Sequence, residues 1–144
     1  MKIAFFTDSY FPGVGGTEKA TYGLAEALSK DNEVAVCCPY YYRKEVESPF
    51  PIFRTKSLRL ARNDFFAMPE ISFRFKRKVK NFAPDIIHCQ TPSPMAAYAL
   101  KYAKKHNIPV VITVHTKFRT AFSRSIKSKY IVERMMKNIA KKLD

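Results

Sequence analysis

One glycine-rich stretch near the amino terminus constrains the fold more than any other part of this sequence. It runs Asp8-Ser-Tyr-Phe-Pro-Gly-Val-Gly-Gly-Thr-Glu18 and follows an apolar run at residues 2–7. After it comes a helical pattern whose predicted inner face carries Ala20, Leu24, Ala27 and Leu28. Strand, loop and helix in this order are typical of an open α/β sheet, in which ligands bind beyond the carboxyl ends of the strands.

The residues of this loop allow two interpretations. Glycines let the backbone approach a ligand closely, and the free N–H groups at a helix start suit phosphate. The alternative is a tight turn in which the glycines serve packing. A dinucleotide site needs a third glycine where this chain has Glu18, and an acid where its second strand ends in Cys37-Cys38-Pro39. NAD binding is therefore disfavoured, and no Gly-Lys-Ser or Gly-Lys-Thr follows, as a Walker loop would require.

Strand and helix patterns alternate along the rest of the chain. We predict strands at residues 2–7, 33–38, 52–55, 86–89 and 109–114, helices at about 17–29, 69–82, 95–106 and 125–143, and a loop at 57–64. Thr17 is predicted to cap the first helix, and Gly23 to let that helix pack closely on the sheet. The alternation predicts one domain of α/β class, a Rossmann-like three-layer fold with helices on both faces of a parallel sheet.

Positive charge is concentrated in the later segments. Lys and Arg total 26 against 12 acidic residues, a formal net charge of +14. Residues 1–42 carry three basic and five acidic side chains, residues 43–80 carry eleven and four, and residues 101–142 carry twelve and one. Such a field favours anionic partners, which include nucleic acid, an anionic membrane surface and phosphorylated substrates.

The helix predicted from Pro69 is amphipathic. Its apolar face carries Ile71, Phe75, Val79 and Phe82, and the rest of its circumference carries Phe73, Arg74, Lys76, Arg77, Lys78 and Lys80. One interpretation is a surface helix with a solvated charged face. The other is a membrane-surface helix, with basic residues on anionic lipid headgroups, Phe73 inserted, and extra apolar area from Phe65, Phe66 and Met68.

Several features bear on the compartment. No apolar stretch approaches the roughly 20 residues of a membrane span, and the first residues have no signal-peptide pattern. Cys37, Cys38 and Cys89 lie in apolar runs without a C-x-x-C pair, so neither a zinc site nor a disulfide framework is predicted. We expect a cytoplasmic protein, with the basic helix allowing a peripheral position on the inner face of the cell membrane.

Three loops should meet at one edge of the sheet, at residues 8–18, 90–94 and 115–118. Of the three histidines, His115 ends a buried strand and is predicted to hydrogen-bond a ligand or to act in acid–base chemistry. His88 lies within an apolar strand and is predicted to be a core residue with its hydrogen bonds made, and His106 to be a surface residue at a helix end. They are too scattered to predict a metal site.

Four motifs occur in a fixed order along almost the whole chain: Asp8-Ser-Tyr-Phe-Pro, Gly15-Gly16-Thr-Glu18, Pro84-Asp-Ile-Ile-His88 with Thr91-Pro92, and Ile108-Pro-Val-Val-Ile-Thr-Val-His115-Thr116. In this order they resemble the start of the family-four retaining glycosyltransferases of GT-B fold. The basic helix and His115-Thr-Lys-Phe118 look most like members that glycosylate membrane lipids, such as diacylglycerol glucosyltransferases and phosphatidylinositol mannosyltransferases.

The resemblance implies roles for individual residues. It places Gly15 and Gly16 against the donor diphosphate, and makes His115 and Asp8 the catalytic pair. It places Tyr10, Glu18, Gln90, Ser93 and Thr116 on the acceptor side. It also implies a UDP- or GDP-linked sugar as donor, a lipid or carbohydrate as acceptor, and neither metal nor cofactor. Anomeric configuration would be retained by front-face attack, with the leaving phosphate helping to take the acceptor proton.

One departure from the family is large. The second domain, with most nucleotide contacts and an E-x7-E motif, is absent from these residues, so we expect an N-terminal fragment that is inactive alone. Two alternatives stay open. The first is a basic, non-catalytic α/β module for nucleic acid or another anion, although no helix-turn-helix, RNP motif or zinc finger supports nucleic acid. The second is a non-catalytic scaffold with an empty crevice.

Overall fold

The centre of the structure, a computed structural model that describes residues 1–12, 15–41, 47–59 and 65–115, is a five-stranded parallel sheet. In chain order its elements are β1 (Lys2–Phe6), α1 (Gly16–Leu28), β2 (Glu33–Pro39), β3 (Ile52–Thr55), β4 (Ser57–Arg59), β5 (Phe65–Ala67), a 3-10 turn (Pro69–Ile71), α2 (Phe73–Phe82), β6 (Ile86–Cys89), α3 (Pro94–His106) and β7 (Val110–Ile112). This confirms the predicted α/β class. The helix predicted at 125–143 lies outside the described residues.

The sheet has one topological switch point. Its strand order is β3-β2-β1-β6-β7, and each neighbouring pair is parallel. Ile3 pairs with Val34 of β2 on one side and with Ile86 of β6 on the other. The chain therefore places β2 and β3 on one side of β1 and then β6 and β7 on the other side. In open α/β sheets the crevice for ligands opens at this point, beyond the carboxyl ends of β1 and β6.

Alternate side chains of β1 enter two separate cores. Ala4 and Phe6 lie in a cluster that includes Phe75 of α2 and Met95 of α3. Ile3 and Phe5 lie in a second cluster, with Ala25 of α1. Because both faces of the strand are buried, its sequence reads as a continuous apolar run. The helices cover both faces of the sheet, as the sequence predicts.

The buried face of α1 differs from the predicted one. Glu18, Thr21 and Ala25 are buried, whereas Ala20, Leu24 and Ala27 of the predicted stripe are exposed. The polar residues tolerate burial because they have partners: the Thr21 hydroxyl, for example, donates to the Thr17 carbonyl over 2.7 Å. Since the face toward the sheet contains two polar residues, the apolar stripe alone gave the wrong orientation.

The glycines of α1 also differ from expectation. The helix begins after Gly15, whose backbone is extended and offers no side-chain cap, so Thr17 is not the capping residue. Gly23 is exposed, and nothing in the described chain lies within 4 Å of the place where its Cβ would be. Gly23 therefore does not serve close packing among these residues.

Residues 57–64, predicted to be a loop, contain a strand. β4 pairs with β5 in an antiparallel ladder that matches Ser57 with Ala67. Leu58 and Phe66 are exposed on this hairpin, and each strand has three residues. Strands this short show no readable alternation of apolar and polar residues. Residues 60–64 lie outside the described part.

The helix predicted from Pro69 is interrupted. A 3-10 turn ends at Ile71, Ser72 has non-helical dihedrals, and α2 begins at Phe73. Phe75 and Val79 are buried as predicted, but Ile71 is 50% exposed because it belongs to the turn and not to the helical face. The Ala83 residue that ends α2 has φ 50°, a left-handed conformation that stops the helix.

Two phenylalanines of α2 provide a matched test of this packing. Phe75 is fully buried against Phe6 and Tyr98, with ring centroids 6.4 and 5.6 Å away, whereas Phe73 is 81% exposed. Phe75→Ala should lower the free energy of unfolding by about 3–5 kcal/mol because it leaves a cavity. Phe73→Ala should change it by no more than about 0.5 kcal/mol. Urea denaturation measures both; similar losses would contradict the packing of α2.

Candidate active site

Asp8 connects the loop after β1 to the start of α3. Its Oδ2 accepts a hydrogen bond from the backbone N–H of Met95 at 3.2 Å. Burial of the Asp8 carboxyl group raises its pKa from 3.8 to about 6, although hydrogen bonds from Ser93 and Met95 favour the ionised form. The position is favourable for a carboxylate because the first turn of a helix has free N–H groups and a positive dipole end.

Ser93 has a structural task at the same place. It is the N-cap of α3, and its Oγ accepts from the N–H of Ala96 at 3.2 Å. Pro94 follows at the first helical position, where a missing N–H costs nothing. Together with the bond from the Met95 N–H to Asp8, this cap holds the end of the 90–94 loop beside the 8–18 loop.

Glu18 fills the space beside Gly15. It is buried in the first turn of α1, and its Oε1 accepts a hydrogen bond from Ser9 Oγ. A Cβ at position 15 would lie 2.5 Å from Glu18 Oε2. A larger residue at position 15 would therefore require the Glu18 carboxylate to move, whereas the φ of −149° at Gly15 is available to any residue. By contrast, Gly16 is exposed and has nothing within 4 Å of its Cβ position in the described structure.

Gln90 directly follows β6, whereas His115 lies three residues beyond the end of β7 and is exposed. The prediction that His115 ends a buried strand was wrong, because β7 is only partly buried and ends at Ile112. The Gln90 N–H donates to the Phe6 carbonyl over 2.9 Å, which places this residue directly beside the end of β1. The Gln90 side chain is buried, and its Oε1 lies 2.8 Å from His115 Nε2. With the amide in this orientation, Nε2 is the donor, so the neutral imidazole presents Nδ1 as a proton acceptor. Gln90 Nε2 has no partner in the described part of the chain.

His88 is the packed histidine that the sequence predicts. Its Nε2 lies 2.8 Å from Thr113 Oγ1, and its ring stacks on Phe5 with centroids 5.1 Å apart. Burial lowers the pKa of His88, and nearby His115 lowers it further. The neutral ring therefore serves packing. His106 is exposed at the end of α3, with its ring 4.4 Å from that of Tyr102.

The remaining predicted residues lie elsewhere. Tyr10 is 1% exposed in the α1-side core, and its hydroxyl has no hydrogen-bond partner among the described atoms. Its contact with an acceptor stays a prediction, as do the ligand roles of Gly15, Gly16, Glu18, Gln90 and Ser93. Thr116 lies outside the described residues, so the structure places only His115 of the third loop.

Two residues that the sequence did not single out hold the first loop in place. The Tyr41 hydroxyl donates to the Asp8 carbonyl at 2.8 Å and accepts from the Tyr10 N–H at 2.9 Å. The Arg54 guanidinium donates to the Phe11 carbonyl at 2.8 Å and lies over the Tyr41 ring. These contacts join the loop after β1 to Tyr41, beyond the end of β2, and to Arg54 of β3. The sequence signal for them was the run of three tyrosines at residues 40–42.

Two kinds of feature are absent from the described residues. No cluster of three or more His, Cys, Asp or Glu side chains there is placed to hold a metal ion. No described helix has the length and apolar character that crossing a membrane requires.

The strand order and the covering helices define a Rossmann-like domain whose topological switch point lies between β1 and β6. Residues 14–144 match the model of Glycosyltransferase Family 4, and the chain belongs to this family. The family resemblance seen in the motifs is therefore confirmed.

Two relatives carry the same name. The chain is 27% identical over 146 residues to an alpha-monoglucosyldiacylglycerol synthase of Acholeplasma laidlawii, an alignment that covers 99% of this chain and 36% of the relative. It is 29% identical over 127 residues to an alpha-monoglucosyldiacylglycerol synthase of Streptococcus pneumoniae (strain ATCC BAA-255 / R6), which covers 82% of this chain and 27% of that relative. The chain thus spans about a third of the length of the relatives that it matches.

The raised pKa of Asp8 predicts a specific pH dependence of stability. Between pH 3.8 and about 6 the folded protein keeps a proton that the unfolded chain has released, so stability falls as pH rises through this window and then levels off. Asp8→Asn removes this effect and keeps an acceptor for Met95. Urea denaturation at several pH values should show the variant gaining stability relative to the wild type from pH 4 to 6. A constant difference would contradict the burial of this carboxyl group.

Proposed function

We propose that this chain is the acceptor-binding half of a retaining glycosyltransferase that transfers a hexose from a UDP- or GDP-linked sugar to a membrane lipid. The observation that carries the proposal is a Family 4 domain in which Asp8, Gln90 and His115 follow β1, β6 and β7 at one edge of the sheet. Asp8 accepts a hydrogen bond from the N–H of Met95 at the start of α3, and His115 Nε2 lies 2.8 Å from Gln90 Oε1.

In the proposed reaction the acceptor hydroxyl oxygen attacks the anomeric carbon of the donor as the bond from that carbon to the phosphate oxygen breaks. Attack comes from the face that the phosphate leaves, so the configuration is retained, and the acceptor proton passes to the leaving phosphate. His115, fixed by Gln90, hydrogen-bonds the reacting sugar or the acceptor hydroxyl and orients it. Asp8 keeps the 8–18 loop against the start of α3 and supplies negative charge on the acceptor side.

The names of the two relatives support a lipid acceptor, since both are synthases of a glucosyldiacylglycerol. The surface of α2 supports it independently. Phe73 projects from this helix with 81% of its area exposed, and Arg74, Arg77, Lys78 and Lys80 are exposed around it. We propose that this face binds an anionic membrane surface, with the protein on the cytoplasmic side.

His115→Ala, made in the full-length protein, should lower kcat/KM for sugar transfer by about 10²-fold or more, because an oriented hydrogen-bond partner of the reacting groups is lost. The matched control is His106→Ala, an exposed histidine at the end of α3, which should transfer at the wild-type rate. Initial rates with labelled nucleotide sugar and diacylglycerol-containing vesicles measure both. Equal rates for the two variants would favour a scaffold with an empty crevice.

The same assay addresses the shorter chain. Since this chain spans only about a third of the length of the relatives that it matches, we expect these 144 residues alone not to transfer sugar. Turnover of a nucleotide sugar by this chain without a second polypeptide would contradict the assignment of an acceptor-binding half.

Replacing Arg74, Arg77 and Lys78 by Ser should weaken binding to vesicles of anionic lipid. Each basic residue near such a surface contributes about 1 kcal/mol, so the loss of three predicts roughly a 10²-fold weaker association at low salt. The control variant replaces Lys30, Lys104 and Lys105 by Ser, which removes the same charge from exposed positions on other elements. Co-sedimentation measures binding. Equal weakening would show a general charge effect, and tighter binding to RNA than to vesicles at matched salt would favour a nucleic-acid module.

A further inference from the structure

A second cavity lies at the outer edge of the sheet, two strands away from the switch point. It has a volume of about 460 Å³ and opens between the carboxyl end of β3 and the first turn of α2. Its lining includes Thr55, Lys56, Ser72, Phe73 and Arg74. None of its lining residues takes part in the Asp8–Gln90–His115 arrangement.

The start of α2 supplies unpaired donors to this cavity. The first backbone bond of the helix runs from the Lys76 N–H to the Ser72 carbonyl, so the N–H groups of residues 73–75 have no partner within the helix. The capping position is Ser72, and its side chain makes no capping hydrogen bond. Free N–H groups and the positive end of the helix dipole favour an anion at this point.

Thr55 is a second polar feature of this cavity, independent of the helix start. It is 1% exposed, and its Oγ1 has no hydrogen-bond partner among the described residues. A buried hydroxyl without a partner is costly, and native structures rarely leave one. Thr55 lines the cavity, and rotation about its Cα–Cβ bond can present the hydroxyl to an occupant.

The charged residues that line the cavity favour a negatively charged ligand. Lys56 and Arg74 are exposed at the cavity, and none of the lining residues is acidic. Arg54 also lines it, but its guanidinium is bonded to the Phe11 and Pro39 carbonyls and to Cys38 Sγ on the other face of the strand. The cavity therefore offers the positively charged side chains of Lys56 and Arg74, the Thr55 hydroxyl and backbone N–H groups of α2.

We propose that this cavity binds a single phosphate group, through the amides of Phe73 and Arg74, the Thr55 hydroxyl and the side chains of Lys56 and Arg74. The volume exceeds that of one phosphate, which leaves room for the rest of a headgroup. The phosphate belongs either to a phospholipid or to a soluble ion or ester. In the first case the site rests on the proposed membrane surface of α2 and gives that surface a preference for phosphate over other anions.

The experiment is a titration of the ¹⁵N-labelled full-length protein with inorganic phosphate at constant ionic strength, followed at the amides of Phe73 and Arg74. The shifts should saturate. Thr55→Val and Lys56→Gln should each raise the apparent Kd by about tenfold, since each removes one hydrogen bond to a charged group. The matched control is Lys104→Gln, which removes the same charge from an exposed position on α3, away from the cavity and from the basic face of α2, and should leave the Kd unchanged.

A second arm identifies the source of the phosphate. Vesicles of a phosphate-free neutral glycolipid are given equal surface charge with phosphatidylglycerol or with ionised oleic acid. Stronger binding to phosphatidylglycerol that Lys56→Gln abolishes assigns the site to a lipid headgroup, and saturation by inorganic phosphate without this preference assigns it to a soluble phosphate. Absence of both, or equal effects of Lys56→Gln and Lys104→Gln, overturns the proposal. Sugar transfer is measured separately, so failure of this site and failure of the transferase assignment are distinguishable.

Discussion

The parallel pairing of β1 with β2 on one side and β6 on the other is the constraint on which the rest of this structure depends. It buries both faces of β1, so that Phe5 and Phe6 enter different cores and helices are needed on both sides. It also places the end of β6 beside the end of β1, where the Gln90 N–H donates to the Phe6 carbonyl. The crevice lies between β1 and β6 because the chain places β2 on one side of β1 and β6 on the other, so that the loops after β1 and β6 leave the sheet toward opposite faces.

Sequence reasoning found the features that local pattern determines. The apolar runs that end at Pro39 and before the 90–94 loop were predicted to be strands, and in the structure they form β2 and β6. It failed where tertiary contacts decide. The buried face of α1 contains Glu18 and Thr21. Their partners are Ser9 in the preceding loop and the Thr17 carbonyl one turn earlier, and the helical period of apolar residues does not reveal such bonds. The β4–β5 hairpin was missed because three-residue strands carry too little pattern.

The same division holds for the site. That Asp8, Gln90 and His115 lie at one edge of the sheet followed from their places after three strands. Their contacts did not, because the bonds Asp8–Met95 and His115–Gln90 span 87 and 25 residues. Tyr41 and Arg54, which fix the first loop, carry no motif. Gly15 was predicted as a place for donor phosphate, and the structure shows the Glu18 carboxylate against it. Two features face outward, the basic face of α2 and the cavity beside its first turn, and both favour anions while the crevice itself contains acids.

The central claim is that the switch-point crevice binds the acceptor, and photo-crosslinking tests it most directly. A diacylglycerol analogue that carries a diazirine close to its free hydroxyl is bound to the full-length protein in the presence of a nucleoside diphosphate. After irradiation, the labelled peptides are mapped. The account predicts labels in residues 8–18 and 90–94, and their loss when unlabelled diacylglycerol competes. Competable labels confined to other parts of the protein, with none in these two loops, would contradict it.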